Sequence, residues 1–162
     1  MKIEPNQSPL THTVCVSRII RAPRESLFEA WVNPELRRAW WLTARGDGPT
    51  ICEIDARVGG RYQLHQIGGG SESTAEDDDF EWIMEGKFLE IVPPERLVFT
   101  WNVNHRDEPV VNQRVTVEFR SADGGTEVVI THEGILSQTM RDGTHAGWSE
   151  LLNLLDRVIT AG

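Results

Sequence analysis

Histidine, tryptophan and tyrosine are the side chains of this 162-residue sequence with the most chemistry to offer. None of His12, His65, His105, His132 and His145 stands at HxxxH or HExxH spacing, so no dedicated metal site is expected. His132 and His145 are the pair to weigh. His132 alternates in step with Val128 and Ile130, and His145 precedes Trp148 by three residues, which places it on the buried side of a helix. A neutral imidazole at either place could hold a ligand oxygen or shuttle a proton. The competing role is a structural histidine that satisfies a loop carbonyl near the helix start. Tyr62, in step with Leu64, could orient a polar ligand group or bond a neighbouring strand. Trp31, Trp40, Trp101 and Trp148 suit core filling, because large aromatics dominate buried area. Trp41 and Trp82 suit the wall of a cavity.

Nucleophilic catalysis is poorly supported. Ser149 lacks the GxSxG elbow, Cys15 and Cys52 have no His nearby in sequence, and Gly68-Gly69-Gly70 is no GxGxxG phosphate loop. No catalytic residue and no cofactor is assigned. A buried Arg18 would need a carboxylate, with Glu133 and Glu53 as the candidates.

The elements that must position these side chains follow from hydrophobic period. Trp148, Leu151, Leu152, Leu155, Val158 and Ile159 recur at helical spacing, so a long amphipathic helix closes the chain, with Gly134 to Gly143 leading into it. A first strand over 12–20 is followed by two short helices, about 25–32 and 35–40, split at Asn33-Pro34. Alternation then predicts strands over 51–56, 61–67, 80–91, 96–103, 110–121 and 126–133. Side chains sharing one face of their strand would be Tyr62, Leu64 and Gln66; Leu97, Phe99 and Trp101; and Val111, Gln113, Val115, Val117 and Phe119. Strands gathered in a meander with helices at the ends imply the α+β class. Residues 1–10 are expected to be a flexible lead-in, and 11–162 a single domain. One helix laid across a strongly curved sheet leaves a gap, the usual place for a ligand cavity.

Composition narrows the function classes. A net charge of −9 argues against nucleic acid and against an anionic membrane surface. Part of that charge lies in the acidic, glycine-rich loop expected at 68–79. No apolar run approaches the roughly 20 residues of a bilayer span. No basic region followed by an apolar run suggests a leader, so a cytoplasmic location is expected. Cys15 and Cys52 read as buried or half-buried thiols in a reducing compartment, with a disulfide between them left open.

Seven segments in order carry a family resemblance. They are Arg18-Ile19-Ile20-Arg21-Ala22-Pro23, Phe28-Glu29-Ala30-Trp31-Val32-Asn33-Pro34-Glu35, Trp40-Trp41, Gly59-Gly60-Arg61-Tyr62, the run from Gly86 to Trp101, Thr131-His132-Glu133-Gly134, and His145-Ala146-Gly147-Trp148. Together they resemble the proteins homologous to the C-terminal domain of the activator of the ninety-kilodalton heat-shock protein's ATPase. That family sits in the SRPBCC superfamily with START domains, polyketide cyclases and birch-pollen-allergen-like proteins. The resemblance implies a helix-grip fold, a curved antiparallel sheet of about seven strands around a long C-terminal helix. It also implies a cavity that takes a lipid-, sterol- or polyketide-like molecule, and it carries over no catalytic motif.

Three functions are therefore expected, in this order. The first is binding of an apolar or amphipathic small molecule in a cavity lined by Trp41, Tyr62, Leu64, Trp82, Phe99, Trp101, Val117, His132, His145, Trp148 and Leu152. The second is a cyclase, dehydratase or hydrolase that uses His132, His145 or Tyr62 as acid–base groups. The third is association with a chaperone. A homodimer through a free sheet edge is compatible with each.

Overall fold

Period-2 alternation and period-3.6 stripes settle into three helices and one sheet in a computed structural model that describes residues 11–41, 49–67, 81–104 and 109–161. The order is β1 (His12–Ile20), α1 (Arg24–Val32), α2 (Pro34–Trp40), β2 (Ile51–Ile54), β3 (Arg61–Ile67), β4 (Glu81–Val92), β5 (Arg96–Val103), β6 (Val110–Ala122), β7 (Gly125–Ile135) and α3 (Gln138–Ala161). The seven strands make a single curved antiparallel sheet, β1-β7-β6-β5-β4-β3-β2. Strands β2 to β7 follow one another as a meander, and β1 adds beside β7, with Val16 opposite Ile130 and Val14 opposite His132. This is the α+β helix-grip architecture.

The kink between the short helices is written in Asn33-Pro34. Asn33 Oδ1 accepts from the backbone N–H of Glu35 (3.0 Å) and Leu36 (3.4 Å), while Pro34 takes the first helical position, where its missing N–H is no loss. α1 packs on α2 and β6, and α2 also reaches β2 and α3. α3 lies chiefly along β1, with less contact on β7. Its N-terminus is capped by Ser137, whose Oγ accepts from Met140 N–H at 3.1 Å.

Several expectations are corrected. α3 starts at Gln138, so most of the expected lead-in is helix; the Ser137 cap outweighs the helix-weakening Gly143 and Gly147. Leu154 is buried and Val158 is exposed, which rotates the buried stripe. Val111 is 71% exposed, because Asn112 adopts φ 56° beside a register shift between β5 and β6 and breaks the alternation. Arg18 is exposed and pairs with Asp156 of α3 at 2.7 Å, so neither Glu133 nor Glu53 is its partner. Cys15 and Cys52 are free thiols, the first exposed and the second buried, so the disulfide does not form. Residues 1–10 and the acidic segment 68–79 lie outside the described residues.

Candidate functional site

The inner face of the sheet and the middle of α3 converge on His132. It is 1% exposed, on β7, and both ring nitrogens are engaged. Trp148 Nε1–H, which can only donate, gives its proton to His132 Nδ1 at 2.9 Å. Nδ1 must therefore be the acceptor, and Nε2–H donates to Gln113 Oε1 at 2.6 Å. The ring is thus a fixed neutral tautomer. Burial holds its pKa down at about 4, against an ordinary 6.5, because the charged form would lose its hydration. His132 is a structural histidine, as the competing role anticipated, but its partners are an indole and an amide rather than a loop carbonyl. Gln113 was visible as a polar residue on an otherwise apolar strand face. Its diagonal relation to His132 follows from the Val115–His132 pairing.

The other acid–base candidates do not join it. His145 is exposed, a correction to its expected inward place. With about 100° per residue, Leu154 shifts the centre of the buried stripe away from the flank that carries His145. Tyr62 is buried, and its hydroxyl donates to the Thr100 carbonyl at 2.6 Å. Gly86 lies opposite Tyr62 on β4, and a side chain there would start 2.0 Å from that same carbonyl oxygen. With the carbonyl so used, Thr100 Oγ1 receives Lys87 N–H at 2.9 Å. Burial pushes the phenol pKa well up, so Tyr62 is a neutral structural donor.

Around Trp148 the tryptophans gather. Its ring centroid lies 5.3 Å from Trp101, 6.0 Å from Trp41 and 6.0 Å from Trp31. Trp31, Trp40 and Trp41 are each 1% exposed, whereas Trp82 and Trp101 are half-buried. Leu64, Phe99, Val117 and Leu152 are buried and complete the inner wall. So ten of the eleven expected cavity residues lie in or against the core, and His145 does not. Trp82 on β4, Trp101 and Val103 on β5, and Met140 on α3 pack against this core and stay half-buried.

Arg37 on α2 went unmarked in the sequence and is the least expected group here. It is 3% exposed, and its guanidinium carbon sits 4.3 Å from the Trp41 ring, 4.8 Å from Trp31 and 5.6 Å from Trp40. Nη1 donates to the Trp31 carbonyl at 2.8 Å. Nε and Nη2 have no hydrogen-bond partner among the described residues, nor do the indole N–H groups of Trp31 and Trp41. Burial lowers the Arg37 pKa to about 10, with Cys52 and Tyr62 acting weakly in the other direction, so the group stays charged at neutral pH. A usable signal did exist: Arg37 precedes Trp40 and Trp41 by three and four residues, on one helix face.

Among the described residues no cluster of His, Cys, Asp or Glu could hold a metal ion, and no helix is long and apolar enough to cross a membrane.

Solved structures share the fold. Protein CV1439 of Chromobacterium violaceum is 25% identical with a TM-score of 0.72, covering 91% of this chain and 96% of that one. An AHSA1-like protein of Aeromonas hydrophila is 24% identical with a TM-score of 0.70, covering 93% of each chain. Protein Mll3558 of Rhizobium loti is 26% identical with a TM-score of 0.66, covering 90% and 95%. No curated protein matches the chain. The model of the family described as "Activator of Hsp90 ATPase homolog 1-like protein" matches residues 21–160, and the chain belongs to that family.

Proposed function

We propose that this chain binds an amphipathic small molecule, with the apolar part of the ligand between α3 and the inner face of β3 to β5. The observation that carries it is a group of half-buried apolar side chains. Trp82, Trp101, Val103 and Met140 pack against the core and remain half-buried. Apolar side chains left accessible on a concave surface mark ligand grooves more often than they mark idle surface. Proteins of this family often bind hydrophobic ligands, which supports the same assignment. An acid–base mechanism has less support, since His132 and Tyr62 spend their polar atoms on Gln113, Trp148 and Thr100.

Native mass spectrometry of the protein purified from its own cells tests this. A co-purifying small molecule that delipidation removes, and whose return shifts tryptophan emission, is expected. Protein that runs only at its bare mass, with emission unmoved by apolar compounds up to their solubility, would overturn it. A chaperone that co-purifies with bare protein would favour the family's name as the guide to function.

A further inference from the structure

Resting on that binding role, we infer that the ligand carries a carboxylate and that Arg37 is the residue that holds it. Four buried polar hydrogen-bearing groups of this cluster lack acceptors among the described residues: Arg37 Nε and Nη2 and the indole nitrogens of Trp31 and Trp41. Nε and Nη2 are not an arbitrary pair. They form the side-on edge of the guanidinium, whose two parallel N–H bonds match the spacing of carboxylate oxygens. The third nitrogen is already committed to the Trp31 carbonyl.

The aromatic contacts do not use this edge. The Trp31 and Trp41 rings, 4.8 and 4.3 Å from the guanidinium carbon, attract its charge through their π faces and accept no hydrogen bond from Nε or Nη2. Nor does a carboxylate among the described residues pair with it. The titratable neighbours that act on Arg37 are Cys52 and Tyr62, and burial raises the pKa of both, so both are neutral. Cys52 Sγ is turned to the Pro34 carbonyl at 3.4 Å. A buried cation with an open hydrogen-bonding edge is costly for a fold unless something else completes it. A ligand carboxylate would do so with one negative charge and several acceptor sites. A phosphate dianion would leave a net charge inside a ring of indoles, which disfavours it. Trp41 packs on both Arg37 and the half-buried Trp101, whose ring lies 6.3 Å away, so the apolar part of such an acid would sit on the Trp101 side.

The test uses matched pairs at neutral pH: decanoic acid against decan-1-ol, and 2-naphthylacetic acid against 2-naphthylacetamide. Binding to the delipidated full-length chain is followed by calorimetry and ligand-detected NMR. At least one acid should bind about tenfold or more tighter than its neutral partner, as a charge-assisted bidentate contact implies. Arg37→Met should erase that preference, weakening the acid about tenfold more than its neutral partner. Arg37→Lys, which keeps the charge and loses the fork, should keep only part of it; this variant decides the matter if Arg37→Met does not fold. Equal binding of acid and neutral partner would overturn the carboxylate and leave the apolar binding role standing. A preference for the acid that persists in both variants would remove Arg37 as its holder. Binding of no compound from either pair would overturn the binding role itself.

Discussion

The neutral, doubly bonded His132 makes stability depend on pH in a calculable way. Its pKa is about 4 in the folded chain against an ordinary 6.5, so between these values the unfolded chain holds a proton that the folded chain refuses. Stability must therefore rise with pH across this window and fall on acidification. The full depression corresponds to about 3 kcal/mol, of which about 2 kcal/mol should be gone by pH 5. Other groups titrate in the same range, so the informative quantity is a difference. In His132→Asn the side-chain oxygen can still accept from Trp148 N–H, but nothing at this position takes up a proton. Urea unfolding of both proteins at about pH 7.5, 6 and 5 should show the wild type losing about 2 kcal/mol more than the variant over that range. Imidazole NMR should report the Nε2–H tautomer with no titration near 6.5. Parallel losses in the two proteins, or a His132 signal that titrates like an exposed histidine, would refute the Trp148–His132–Gln113 geometry.

Asn33→Ala removes the cap that accepts from Glu35 and Leu36, and should cost about 1 kcal/mol, seen as a fall of roughly 2–4 °C in the thermal midpoint. A midpoint unchanged within a degree would mean that the cap does not hold α2. Gly86→Ala places a methyl 2.0 Å from the Thr100 carbonyl oxygen and should destabilise by more than about 3 kcal/mol or prevent soluble expression. Near-wild-type melting would show that β4 and β5 do not approach so closely. The two thiols should differ sharply towards a maleimide: exposed Cys15 should react at once and buried Cys52, whose pKa burial raises, only on unfolding. Equal rates by mass spectrometry would contradict the packing of β2 on α2.

The fold was largely legible because its signals are local and agree with one another. Alternation from Arg61 to Ile67 and from Arg96 to Val103 has the observed strand bounds, and Asn33-Pro34 marks the joint between the short helices. Errors fall where one residue overrides a pattern. Asn112 at positive φ turns Val111 outward against its row. Leu154, outside the assumed stripe, turns α3 enough to expose His145. Ser137 starts α3 within the stretch to Gly143 that reads as its lead-in. A stripe fixes which helix face is buried only when most of its members are known, so a residue at its margin, such as His145, is the least secure inference from it.

The residues that carry the chemistry were harder to see, for a different physical reason. His132 and Trp148 were each visible as inward residues, but the bond between them joins a strand to a helix and depends on the curvature of the sheet. Arg37 reads in sequence as one of two basic residues in the last turn of a short helix, where cations favour the helix dipole and water. Its neighbour Arg38 partly meets that expectation, with a bond to the Pro49 carbonyl. Arg37 instead turns inward because the kink at Pro34 folds α2 back on α1, so that Trp31 and Trp40 flank it and the Trp31 carbonyl takes one of its nitrogens. The same kink leaves its side-on edge facing no acceptor among the described residues. Three indoles can stabilise a buried cation by about 2 kcal/mol each when water is excluded, yet they do nothing for in-plane N–H groups. An arginine that served only to hold the tryptophans would, as methionine, give up those contacts while leaving affinity for an acid unchanged. One that serves a ligand must show its cost in affinity for an acid, and stability alone will not reveal which it is.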